Sequence, residues 1–173
     1  MSGILITKGS ILIKKTIEVS IPFLNGNEKT YLEECINSNY VSSIGPFVNQ
    51  FENKLAEIIG LNPDQITTTN SGTSALKLAL IASGIKKGDL VIIPSYTFIA
   101  TANAISDCGA VPWIMDILPN SLTLDFNLVE EEIVSKTFFK NGQLFHKELG
   151  MKVFGIIPVH VFGYPPQIDE IIK

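Results

Sequence analysis

The run Asn70-Ser71-Gly72-Thr73-Ser74-Ala75-Leu76-Lys77-Leu78-Ala79-Leu80 concentrates small hydrogen-bonding residues where a strand is expected to give way to a helix. Gln65-Ile66-Thr67-Thr68-Thr69 before it is β-branched and strand-like, while Leu76, Leu78, Ala79 and Leu80 open an apolar helical pattern. The first N–H groups of a helix have no intrahelical acceptor, and the helix dipole leaves partial positive charge beside them. A phosphate group can sit there, assisted by the Ser and Thr hydroxyls. The same residues also suit an ordinary helix cap by Ser71 or Thr73, with Gly72 giving the turn.

Further blocks favour the phosphate reading. Gly88-Asp89-Leu90-Val91-Ile92-Ile93-Pro94-Ser95-Tyr96-Thr97-Phe98-Ile99-Ala100-Thr101-Ala102-Asn103-Ala104-Ile105 reads as a buried strand, a turn at Pro94 and a second helix, and Gly109-Ala110-Val111-Pro112-Trp113 follows. Near the start stand Asn25-Gly26-Asn27-Glu28, Tyr40-Val41-Ser42-Ser43-Ile44-Gly45-Pro46-Phe47-Val48 and Phe51-Glu52. Near the end stands Ile157-Pro158-Val159-His160-Val161-Phe162-Gly163-Tyr164-Pro165, with Ile168-Asp169-Glu170-Ile171 opening a next helix. In this order and spacing the blocks resemble the DegT/DnrJ-type sugar aminotransferases, which use pyridoxal 5'-phosphate (PLP). The resemblance runs from about Ile21 to Lys173.

That resemblance implies roles residue by residue. Gly72, Thr73 and Ser74 stand where the family holds the cofactor phosphate. Phe98 stands where an aromatic stacks on the pyridine ring; a core Phe packing the turn is the alternative, and Tyr96 is a lesser candidate for the stack. His160 ends an apolar strand at its C-terminal end, where ligands bind in open α/β sheets, and is either cofactor-side or structural. Ser43 and Gly45 match the substrate-side loop. His146 lies in a polar insert and is expected to be exposed. Asp116 is expected to end its strand, and Asp125 to cap the following helix.

In the family, the lysine that forms the internal Schiff base and the carboxylate that pairs with the pyridinium nitrogen lie beyond the position matched by Lys173. No catalytic residue is therefore expected here: Lys77 falls on a helix, Lys86 and Lys87 in a turn, and Lys152 at a strand start. The resemblance implies the N-terminal half of a fold-type I aminotransferase, as a fragment, a disrupted gene or one piece of a split enzyme, inactive alone. The complete enzyme would transfer an amino group, commonly from glutamate, to a nucleotide-linked keto-sugar for surface-polysaccharide or amino-sugar synthesis. UDP-linked 4-keto-6-deoxy-N-acetylhexosamines are the suggested branch, and a homodimer the implied assembly. A PLP-dependent sugar dehydrase, with histidine in place of the lysine, and a non-catalytic remnant that binds only phosphate or a partner subunit are the alternatives.

Composition narrows the classes. With 173 residues of which 46% are hydrophobic, the chain can bury a core of single-domain size. A net charge of −4 and the absence of arginine argue against a nucleic-acid surface. Without arginine the usual bidentate clamp for carboxylate or phosphate has to come from elsewhere. Cys35 and Cys108 form no disulfide framework or metal-ligand spacing, and each suits a small buried or boundary position. Ile4-Leu5-Ile6 and Ile11-Leu12-Ile13 are too short for a membrane span or a signal peptide, so no membrane association and a cytoplasmic location are expected.

Alternating short apolar strands and helices predict an α/β fold, a three-layer α/β/α arrangement around a mostly parallel sheet. Residues 1–20 are expected to form an extension or strand, and residues 21–173 the N-terminal portion of the PLP-dependent transferase large domain. Helices are predicted over about 28–37, 46–59, 73–82, 98–106 and 125–136. Phe47, Phe51, Leu55 and Ile58 form one face of the second, between Pro46 in the first turn and Gly60 as terminator. Strands are predicted at Ile66, Leu90, Val111 and Val153–Val161, and Phe138–Lys152 as a polar, turn-rich insert.

Overall fold

The computed structural model describes residues 4–7, 10–13 and 20–166. The chain divides into two compact units, Met1–Ile66 and Thr67–Lys173. The helix expected from Ile168 lies outside the described residues.

In the first unit, β1 (Ile4–Thr7) and β2 (Ser10–Ile13) pair antiparallel with Ile4 opposite Ile13. Helix α1 (Glu28–Asn37) is followed by α2 (Pro46–Ile59), which begins on Pro46 and ends at Gly60 in the left-handed conformation, φ +73°. The fixed φ of Pro suits the first turn, and only Gly adopts the left-handed cap without a steric cost. Tyr31 and Phe47 bring their rings to 5.2 Å, joining the two helices. Of the apolar face predicted for α2, Phe47 and Leu55 are half-buried, whereas Phe51 and Ile58 are exposed.

The second unit is built on a five-stranded sheet with strand order β4-β3-β7-β6-β5. Its strands are β3 (Leu90–Pro94), β4 (Val111–Met115), β5 (Thr137–Lys140), β6 (Gln143–His146) and β7 (Lys152–Ile156). The strands β4, β3 and β7 pair parallel, and β6 pairs antiparallel with both β7 and β5. Only β6 therefore runs against the other four. Helices α3 (Gly72–Ala82) and α4 (Ala100–Asp107) cover one face, where Leu80, Ala104 and Ile105 pack with Val91 and Ile93. Helix α5 (Phe126–Lys136) covers the other, its Val129 packing with Ile92, Met115 and Leu124. Successive β3 side chains thus enter opposite layers, which is why all five of its residues are buried and the strand reads as an unbroken apolar run. The expected three-layer α/β/α arrangement is the one observed.

Four local expectations are corrected. The segment at Ile66 is extended, φ −111° and ψ 134°, but residues 66–69 belong to no strand. β-Branched composition favours an extended chain, yet a strand needs a neighbour's ladder, and none of the described residues supplies one. The strand expected to reach Val161 stops at Ile156. Ile157 still donates its N–H to Ile92 O at 2.9 Å, but Pro158 has no N–H with which to continue. The helix expected from Phe98 begins at Ala100.

The polar, turn-rich insert predicted at 138–152 contains the β5–β6 hairpin, turning on Asn141 (φ +52°) and Gly142 (φ +76°). Positive φ at both central residues matches the strand twist, and Asn-Gly is the strongest sequence signal for such a turn. With the hairpin comes the fourth correction. His146 is 6% exposed rather than solvated: its Nδ1 accepts the Leu149 N–H at 3.3 Å, and its ring meets Trp113 edge-on at 5.1 Å.

Candidate functional site

The start of α3 carries the hydroxyl cluster. Ser71 is extended (φ −163°, ψ 157°) and caps the helix, its Oγ accepting the Ser74 N–H at 3.2 Å. The Ser71 and Ser74 hydroxyls lie 3.1 Å apart, and Thr69 Oγ1 donates to Ser71 O at 2.8 Å. Gly72 is the first helical residue rather than the turn. A Cβ there would meet nothing within 4 Å, and Gly72 itself is exposed. No acidic residue stands in the first turn. Cap and anion cradle are compatible uses of this terminus, because the cap consumes one of the four unpaired donors.

Helix α3 packs on the sheet through Leu80 and joins the start of β3 by residues 83–89, which directs its first turn toward the edge where the parallel strands end. Phe98 follows the end of β3 and His160 follows the end of the adjacent β7, placing both along that same edge. Two contacts tie the loops of this edge together. The Tyr96 and Phe162 rings come to 6.5 Å, linking the segments after β3 and β7, and Ser95 Oγ donates to Asp116 Oδ1 at 3.4 Å, linking those after β3 and β4.

Phe98 is 79% exposed, so within the described structure it is not a core residue packing the turn. His160 is also exposed and lies four residues past the end of β7, ahead of a short 3₁₀ turn at Val161–Gly163. Phe162 in that turn has φ +52°, a costly conformation for a bulky residue.

Ser43 and Gly45 belong to the first unit, where with Tyr40, Pro46 and Val48 they line a shallow cleft of about 690 Å³. A Cβ on Gly45 would lie 3.1 Å from Tyr40 Cβ, a tight approach that favours glycine there. Asp116 follows β4 and accepts the Ile117 N–H at 2.8 Å, and Asp125 caps α5 through the Asn127 and Leu128 N–H groups. Both have the structural roles expected of them.

The charged residues sort by edge. Lys86, Lys87 and the Lys152–Asp89 pair lie where the strands begin, opposite the candidate site. Lys77 points toward Asp107, with Nζ to Oδ2 at 3.5 Å. Sequence reasoning passed over the pairing of Thr97 with Thr101, whose hydroxyls meet at 2.9 Å on either side of Phe98 in the chain. The four-residue spacing across the helix entry was its only trace.

A mostly parallel sheet between helices, with a hydroxyl-capped helix start and an exposed aromatic after its β3 strand, is an α/β arrangement able to take a phosphate-bearing cofactor. The chain belongs to the DegT/DnrJ/EryC1/StrS aminotransferase family, whose profile matches residues 22–173. It is 37% identical to the GDP-perosamine synthase of Caulobacter vibrioides over 157 residues, covering 91% of this chain and 38% of that protein. Among solved structures, a DegT/DnrJ/EryC1/StrS aminotransferase from Brucella abortus superposes with TM-score 0.67 and 28% identity, over 83% of this chain and 35% of that one. NtdA from Bacillus subtilis, solved with bound cofactor PMP, superposes with TM-score 0.60 and 26% identity, over 91% and 34%. The chain spans less than half the length of these relatives.

PLP is the cofactor of the family. The residues present fit it: an exposed helix start with open space at Gly72, two hydroxyls and no acidic residue in the first turn suit a dianionic phosphate. Phe98 offers a free aromatic face on the same edge.

Proposed function

We propose that this chain is the cofactor-binding N-terminal portion of a cytoplasmic aminotransferase that places an amino group, taken from glutamate, on a nucleotide-linked keto-sugar. The observation that supports the proposal is an exposed, hydroxyl-capped α3 terminus in the same unit as Phe98, which stands exposed after the C-terminal end of β3. When bound, PLP supplies the electron sink for amino-group transfer. The Gly72 and Thr73 N–H groups and the Ser74 hydroxyl would hold its phosphate, Phe98 would stack on its ring, and His160 would stand on the cofactor side. The Ser43–Gly45 loop contributes to the sugar side, and a second subunit completes the assembly as a homodimer.

The relative's name favours a GDP-linked sugar over the UDP-linked one suggested by sequence blocks alone. Transfer also requires a lysine amine at the cofactor. The described lysines of residues 67–166 are at the far edge, in the hairpin region or turned toward Asp107. In this reading residues 67–166 bind the cofactor, and the reactive lysine comes from other residues.

Titration with PLP and with pyridoxal, following Trp113 fluorescence, tests the reading. A phosphate cradle requires PLP to bind far more tightly than pyridoxal. Equal affinities would remove it.

A further inference from the structure

Phe98 has a role that its surroundings do not explain by packing. Its ring is largely exposed, so no packed neighbour fixes its direction. An aromatic platform that must lie flat on a ligand ring then depends on the backbone beneath it.

That backbone is specifically held. The Thr97 and Thr101 hydroxyls are 2.9 Å apart. Thr97 Oγ1 also reaches Phe98 O at 3.5 Å, the long limit for a hydrogen bond, and the Thr101 N–H donates to the same carbonyl at 3.0 Å. A hydroxyl has one proton, so if Thr97 donates to Phe98, Thr101 donates to Thr97. Thr101 is buried on α4, where Ala104 and Ile105 enter the core, while Thr97 is half-buried nearer the rim. The chain of hydroxyls thus connects the Phe98 peptide to the packed body of α4. A valine would fill the Thr101 position with the same shape and without desolvating a hydroxyl, so the polar group there is retained at a cost that only its hydrogen bond offsets.

We propose that Thr101, acting through Thr97, is a positioning residue that sets the Phe98 ring for cofactor stacking. The proposal rests on the stacking role given to Phe98 above. It assigns the hydroxyl pair no contact with cofactor or substrate.

The test uses the whole chain with Thr101→Val, Thr101→Ser and Thr97→Val. Two quantities are read: amide hydrogen exchange at Thr101, whose N–H is held by Phe98 O, and PLP affinity by Trp113 quenching, with Phe98→Ala as reference. Thr101→Val should speed Thr101 exchange and weaken PLP by about fivefold, the worth of one net hydrogen bond. Exchange at Ile93 and Ile105 should stay unchanged, and Thr101→Ser should restore both readings. Should Thr101→Val fail to fold, Thr97→Val removes the same bond from the more exposed side and carries the same expectation.

Unchanged exchange and affinity in the valine variants would overturn the proposal. So would faster exchange with unchanged PLP affinity while Phe98→Ala still weakens binding, because the pair would then be structural only. If Phe98→Ala itself leaves PLP affinity unchanged, the stacking role has failed and the positioning role falls with it.

Discussion

Lys152 and Asp89 form an ion pair, Nζ to Oδ2 at 3.2 Å, that joins the first residue of β7 to the residue before β3. Their side chains are 21% and 7% exposed, and the same Asp89 oxygen accepts the Lys86 N–H at 2.8 Å. The Lys152 ammonium also lies 5.2 Å from the centre of the Phe154 ring. Between two strands distant in sequence, this pair fastens the edge opposite the candidate site.

Asp89→Ala leaves a largely buried ammonium without its partner and the Lys86 N–H without its acceptor. Breaking such a pair from one side is expected to cost about 3 kcal/mol. Urea unfolding measures it. Lys152→Met, which keeps the stem and removes the charge, should cost less than Asp89→Ala.

Ser71→Ala removes the acceptor for the Ser74 N–H and should lower stability by about 1 kcal/mol. Ser71→Asp retains a cap but places a carboxylate beside the proposed phosphate. It should therefore keep the parent's stability while reducing PLP affinity, whereas a purely structural terminus would leave PLP binding untouched. Thermal unfolding together with PLP titration separates the two effects.

Gly142→Ala puts a Cβ on a residue at φ +76° in the β5–β6 turn, although no neighbouring atom lies within 4 Å of it. The expected loss, about 1 kcal/mol, comes from backbone conformation alone. Hydrogen exchange should show faster opening of β5 and β6 than of β3. A uniform loss over the sheet would mean that the hairpin does not open separately.

Phe98→Ala should change unfolding stability by less than about 0.5 kcal/mol, because the ring is exposed. In the proposed function it should also weaken PLP by about fivefold, the scale of one aromatic stack. A large loss of stability would instead place Phe98 in the core.

Local order was legible where the signal is local. Pro46 and Gly60 mark the two ends of α2, and Asp125 marks the start of α5, because caps depend on a few adjacent φ/ψ values and one hydrogen bond. The alternation of strands and helices from Gly72 to Met115 came from the same periodicity, and the blocks of the family resemblance lie on it. The Asn141-Gly142 dipeptide carried a hairpin signal as well, masked by the polar residues around it.

Other features depend on partners far apart in sequence. Ile66 to Thr69 has the composition of a strand, but strandhood needs a ladder with a neighbouring chain, and these residues are part of no sheet. His146 lies in a polar stretch, yet the hairpin folds it onto Trp113, thirty-three residues earlier. Phe98 has the same residue type as a core aromatic and is exposed because its turn projects beyond β3, and the Thr97–Thr101 clasp on either side of it exists only once α4 begins at Ala100. The sequence determined the elements and the family through short-range stereochemistry and residue pattern. Burial and pairing, which sort the same residue types into core, edge and site, were set by long-range packing.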